Sequence, residues 1–189
     1  PCAFNQLAPP NIYMEMRHNI QMAMESALDL FEQMEEEFEN IFGRRHGALE
    51  AIQCHDAEII MITTGTVTST SRQVLADLRA KGEKVGLLKI KLFRPFPVNV
   101  IRECVASAGK IAVIDRNFSF GASGIFAQEI RSALCNFPGH PLVFGYIAGL
   151  GGRDVTTSVI EDIYWQTKNS SAPEHESIWV GLQAHVVHE

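Results

Sequence analysis

Residues 57–63 read AEIIMIT, and from Ile59 to Ile62 no polar side chain interrupts the run. A strand packed on one face alternates apolar and polar residues, whereas a strand apolar at every position needs cover on both faces. The same texture returns in KVGLLKIKLF (84–93), KIAVID (110–115) and PLVFGYIA (141–148). Between these runs lie segments of helical character: TVTSTSRQVLADLRAKG, closed by Gly82, then NVIRECVASAG after the breaks at Pro95 and Pro97, then IFAQEIRSALC, then TSVIEDIYWQTK. LEAIQC (49–54) suits a short edge strand, and IWVGL (178–182) suits a segment packing back after the polar NSSAPEHES. Strand and helix alternating through short connections predict a parallel α/β sheet with helices on both faces and right-handed crossovers.

Ahead of the sheet lies a different pattern. Ile20, Met24, Ala27, Phe31, Met34, Phe38 and Ile41 recur at helical spacing over about three heptads, with Leu28 and Phe42 widening the stripe. Glu32, Glu35, Glu36, Glu37 and Glu39 occupy the remaining surface. Gly43 stands where a C-cap glycine belongs, with Arg44 and Arg45 placed to meet the negative end of the helix dipole. A long helix strapped across a domain fits this stretch better than a coiled coil, because the flanking positions lack complementary basic charge. The expected organisation is a linker and long amphipathic helix over 1–47, an α/β domain over 48–182 and a tail over 183–189.

Residues 1–50 carry three basic and nine acidic side chains, so the net charge of the whole chain, −6, is concentrated there. Without a basic stripe, a nucleic-acid partner is not expected. At 46% apolar and 20% charged residues the chain has a soluble globular composition, with no run long enough to span a bilayer. A cytoplasmic protein with no membrane partner is the expectation. The start at Pro1, in a loop-like PCAFNQLAPPN, suits a piece of a longer polypeptide. Cys2, Cys54, Cys104 and Cys135 show no paired spacing, so neither a zinc nor an iron–sulfur site is expected within the chain. His185 and His188, in the terminal HVVHE, are read as a frayed tail rather than a chelate.

Three glycine-bearing turns follow strands, where open α/β sheets bind ligands. GLGGRDVT (149–156) has Asp154 where a dinucleotide fingerprint needs its third glycine, and an aspartate there opposes a phosphate. Its glycines are read as permitting positive φ, with Asp154 or Thr156 capping the next helix and Ser158 with Glu161 as a competing capping box. TTGT (63–66) lacks the lysine of a nucleotide-binding loop. DRNFSFGASG (115–124) admits two readings. Arg116, Asn117, Ser119, Gly121, Ser123 and Gly124 form a candidate anion loop, or the loop packs Phe118 and Phe120 and caps a helix through Ser123. No catalytic constellation emerges from residue types and spacing.

AVIDRNFSFGASGIFAQEIRSAL, LKIKLFRPFPVNVIRE and FGYIAGLGGRDVT together resemble the domain that follows the pyrimidine domain in alpha subunits of 2-oxoacid:ferredoxin oxidoreductases. The pyruvate:ferredoxin (flavodoxin) oxidoreductases, or pyruvate synthases, are the nearest in likeness. IYMEMRHNIQMAMESALDLFEQMEEEFENIFGR resembles the linker helix of the same subunits, and the likeness runs from Asn11 to Leu182. It implies a three-layer α/β/α fold like the transketolase C-terminal domain, with a five-stranded, mixed, mostly parallel sheet whose first strand is antiparallel. It also implies a parent enzyme of anaerobic metabolism that uses thiamin diphosphate, magnesium and iron–sulfur clusters. That enzyme oxidatively decarboxylates pyruvate to acetyl-coenzyme A and passes electrons to ferredoxin or flavodoxin. The residues performing that chemistry belong to other domains, so this chain is expected to be non-catalytic, inactive alone and without a bound cofactor. Its expected partners are other domains or subunits of a homo- or hetero-oligomer. The alternative is a stand-alone module binding a phosphate-bearing ligand, such as coenzyme A or a nucleotide, at DRNFSFGASG.

Overall fold

The computed structural model describes residues 7–174, 177–183 and 186. Its strands are β1 (Leu49–Ile52), β2 (Ile59–Thr63), β3 (Val85–Ile90), β4 (Lys110–Asp115), β5 (Leu142–Ile147) and β6 (Ile178–Trp179). The helices are α1 (Pro10–Phe42), α2 (Val67–Ala80), α3 (Val98–Val105), α4 (Ile125–Leu134) and α5 (Thr157–Asn169), with a single 3-10 turn at Leu150–Gly152. Cys2, His185 and His188 lie outside the described residues, as does most of the 183–189 tail.

All strands join one sheet in the order β1-β3-β2-β4-β5-β6. β1 runs antiparallel to β3, with Leu49 opposite Ile90, and every other pairing is parallel. The resemblance implies five strands, and the described residues form six. IWVGL does pack back, and it does so by pairing Ile178 and Trp179 with Tyr146 and Ile147, which extends the sheet past β5. A strand this short has no periodicity to betray it, and only its partner makes it a strand.

Alternate residues serve the two faces. Ile59, Met61, Val85, Leu87, Ala112, Ile114, Phe144 and Tyr146 pack with α2 and α5 through Val74, Leu78, Ile160 and Tyr164. The other face meets α3 and α4, whose Ile101, Val105, Ala127, Ile130 and Leu134 are fully or almost fully buried. The three-layer arrangement follows from strands that are apolar at every position: β2 is buried along its whole length. At roughly 25 cal/mol per Å² of apolar area, each such side chain contributes on the order of 2 kcal/mol, so these strands hold the layers together.

The chain separates into two compact units, α1 with the following turn to Gly47 and Leu92–Pro97 in one, and Ala48–Lys91 with Val98 onwards in the other. α1 ends at Gly43, whose φ of 68° is left-handed and whose N–H donates to the Glu39 carbonyl at 2.7 Å. The chain then turns back along the helix. The buried Glu35 carboxylate accepts the N–H groups of Gly47 and His46, each at 2.6 Å, and the Gly47 bond foremost holds its carboxyl below the usual range. This reversal carries the two arginines away from the helix axis. Arg45 pairs with Glu32, and Arg44 lies over the Phe38 ring at 5.7 Å, so both engage side chains.

Candidate functional site

The carboxyl ends of β2, β4 and β5 bring together the three glycine-bearing turns. Strand order reverses between β2 and β4, which is where open α/β sheets form a ligand crevice. What lines that crevice depends on where each loop spends its polar groups.

Asp115 ends β4 with 1% of its surface exposed. Its carboxylate accepts the N–H groups of Phe126 and Ala127, both at 3.0 Å, and Asn117 Oδ1 accepts that of Ile125 at 3.1 Å. Three amides at the start of α4, the donors an anion would need, are thus bonded to protein acceptors. Burial pushes the Asp115 carboxyl up to about 6, against the opposing effect of the two amides and of the Arg131 charge. A Cβ on Gly124 would collide with the Asp115 carboxylate, 2.6 Å from its Cγ, so a side chain there forces Asp115 to move. The expected Ser123 cap is therefore replaced by Asp115 and Asn117. The Ser123 hydroxyl faces Arg131 at 3.3 Å, and its carbonyl accepts Ser119 N–H at 3.0 Å, closing the turn around Gly121.

The six candidate anion-loop residues divide accordingly. Asn117 caps α4, and Ser119, Gly121, Ser123 and Gly124 shape the loop. Arg116 leaves it: its guanidinium donates to Thr66 Oγ1 at 3.2 Å and to the Gly149 carbonyl at 3.3 Å, tying the loops after β2 and β5 to that after β4. Beside it is a polar notch of about 170 Å³, bounded by Thr66, Thr70, Arg116, Arg153 and Asp154 among others. Two guanidinium groups there suit a carboxylate or phosphate, while the Asp154 carboxylate on the same wall opposes one.

Residues 149–156 form a turn of positive φ at Gly149, Gly151 and Gly152. Thr156 caps α5 by accepting Val159 N–H, and Glu161 pairs with Lys81 at 2.7 Å rather than completing a capping box. Ser177 was missed by the sequence reading. Its hydroxyl accepts the Gly124 N–H at 3.2 Å and anchors the segment leading into β6 against the loop. Nothing local announces this contact, since the partners lie far apart in the chain.

Among the described residues no three His, Cys, Asp or Glu side chains gather where they could hold a metal ion. Cys54 is buried, with its thiol pushed up to about 11 by desolvation, which is the reverse of what a thiolate ligand requires. Cys104 is half-buried and Cys135 exposed. Among the described residues, no helix is long and apolar enough to cross a membrane.

A family model described as pyruvate:ferredoxin oxidoreductase core domain II matches residues 57–160, more than half of the chain. The chain belongs to this family. The match runs from the start of β2 into α5, so it takes in all three turns described above. Pyruvate synthase subunit PorA of Methanothermobacter thermautotrophicus is 41% identical over 97% of this chain and 46% of its own length. Ketoisovalerate oxidoreductase subunit VorA of Pyrococcus abyssi is 38% identical over 97% of this chain and 47% of its own. The chain spans about half the length of the curated relatives it matches. The 2-oxoglutarate:ferredoxin oxidoreductase from Magnetococcus marinus, solved with 2-oxoglutarate, coenzyme A and succinyl-CoA bound, superposes with a TM-score of 0.57. That likeness covers 85% of this chain and 24% of the other at 20% identity, and it is one of fold.

Proposed function

We propose that this chain is the non-catalytic, transketolase-C-terminal-like domain of a 2-oxoacid:ferredoxin oxidoreductase alpha subunit. The parent reaction is oxidative decarboxylation: pyruvate, coenzyme A and two oxidised ferredoxin equivalents give acetyl-CoA, carbon dioxide, a proton and two reduced ferredoxins. Flavodoxin is the alternative acceptor, and a branched-chain 2-oxoacid the alternative substrate. Thiamin diphosphate, magnesium and the iron–sulfur clusters are held by other domains or subunits of a cytoplasmic assembly. The domain's part is to pack against them and hold them in place.

The observation that carries this reading is 41% identity to a pyruvate synthase subunit across nearly the whole chain, α1 included. The sealed start of α4 supports it, because the loop closest to a nucleotide-binding turn spends its amides on Asp115 and Asn117. The test is a chimera in which this chain replaces the matching segment of the Methanothermobacter PorA subunit, assembled with its companion subunits. Pyruvate- and coenzyme A-dependent reduction of a viologen dye is expected within about tenfold of the parent's rate. A folded, assembled chimera with no such activity would count against the reading.

A further inference from the structure

Helix α1 is clean in its division of surface. At about 100° per residue, Ile12, Met16, Ile20, Met24, Phe31 and Met34 share one arc of roughly 120°. Glu15, Glu25, Asp29, Glu32, Glu36, Glu37 and Glu39 take the opposite arc, with Glu37 and Glu39 at its two ends. Ile20 is 53% exposed and Met34 59%, and most of the large apolar side chains of α1 are exposed in the same way. Among the described residues helix α1 is the one regular element of its unit, which also takes in Leu92–Pro97. The turn from Gly43 to Gly47 folds back along the helix as far as Glu35, which accepts the His46 and Gly47 N–H groups, and Glu32, which pairs with Arg45. Of the stripe, Ile12, Met16, Ile20, Met24 and Met34 stay exposed.

We propose that this stripe is a docking surface for an apolar groove rimmed by lysine and arginine, carried by the part of the relatives' subunit that this chain does not span. The inference rests on the subunit reading above. Charge selects the occupant. Over Pro10–Phe42 the helix carries eight carboxylates and the single basic residue Arg17, so a second copy would bring acidic borders against acidic borders. A basic rim meets them instead. The relatives supply the missing partner, because they share α1 and continue for about as many residues again.

Methionine oxidation reads this surface face by face. Met16, Met24 and Met34 lie on the stripe; Met14 and Met22 lie off it and are also exposed. In the isolated chain all five are expected to react with peroxide at similar rates, measured by mass spectrometry of peptides. In the full-length PorA chimera, Met16, Met24 and Met34 are expected to be protected at least tenfold while Met14 and Met22 remain reactive. Glu37→Lys together with Glu39→Lys is expected to reduce that protection at least threefold. Equal oxidation of all five in the chimera overturns the proposal, and so does protection unchanged by the charge reversals. Protection already present in the isolated chain, accompanied by a dimer mass, assigns the stripe to a second copy and also overturns it. A catalytically active chimera without protection would leave the subunit reading intact. Protection in an inactive chimera would support the docking surface while the proposed reaction fails.

Discussion

A carboxylate with 1% of its surface exposed must replace the water it has lost, and Asp115 does so with the first amides of α4. Its folded pKa of about 6 lies above the ordinary 3.8, so the folded state binds the proton more tightly between those values. Stability contributed here is present at low pH and is lost as pH rises through about 6. Glu35, Glu50, Asp56, Glu83 and Glu161 shift downward and act in the opposite sense, losing their contribution as pH falls. The difference between wild type and Asp115→Asn isolates the single group. In urea denaturation the wild type's advantage over this variant is expected to shrink by about 2 kcal/mol between pH 4 and pH 7. A difference constant with pH would contradict titration of a buried Asp115. Gly124 tests the same contact sterically. Its φ of −57° suits any residue, so Gly124→Ala is destabilising through collision with Asp115, by about 1–3 kcal/mol. Thermal unfolding of that variant near the wild-type midpoint would mean the carboxylate can yield.

At the scale of the element, α5 shows how a strand residue ends a helix. Lys110, at the start of β4, donates from Nζ to the carbonyls of Thr167, Lys168 and Ser170 at 3.1, 2.7 and 2.7 Å. A cation there meets both the unpaired carbonyls and the negative end of the dipole. Lys110→Met keeps the apolar stem and removes the donors, so a loss of about 2 kcal/mol is expected. Amide exchange should accelerate through the last turn of α5, and unchanged protection there would place the effect elsewhere. None of this was legible in the sequence, where Lys110 is simply the polar start of KIAVID. What was legible is what depends on near neighbours: the apolar runs of β2 to β5, the stripe of α1, and the Gly43 cap. β6 escaped because two residues have no period, and its parallel partner is β5. Of the two readings of DRNFSFGASG, the packing loop put the α4 cap on Ser123, the adjacent hydroxyl, while the acceptors are Asp115, from the end of the preceding strand, and Asn117. Ser177 escaped for the same reason at longer range.

For the molecule as a whole, the competing readings differ in what the carboxyl end of the sheet is for. A phosphate-binding module needs free donors converging on open space. Here the α4 amides are taken by Asp115 and Asn117, and Arg116 is engaged with Thr66 and Gly149, leaving a notch that Asp154 shares. Arg116 binds the loops after β2, β4 and β5 to one another, which is a structural use of the crevice. The isolated chain is therefore expected to show no saturable heat on titration with coenzyme A, ADP or thiamin diphosphate with magnesium. Arg116→Ala is expected to cost about 1 kcal/mol of stability through its two lost hydrogen bonds, with no binding to lose. The opposite pairing of results is equally specific. A micromolar isotherm with coenzyme A, abolished by Arg116→Ala in a variant of near wild-type stability, would make the crevice a ligand site and the chain a binding module. Because the variant is read by both calorimetry and denaturation, a structural arginine and a ligand-binding arginine give different pairs of numbers.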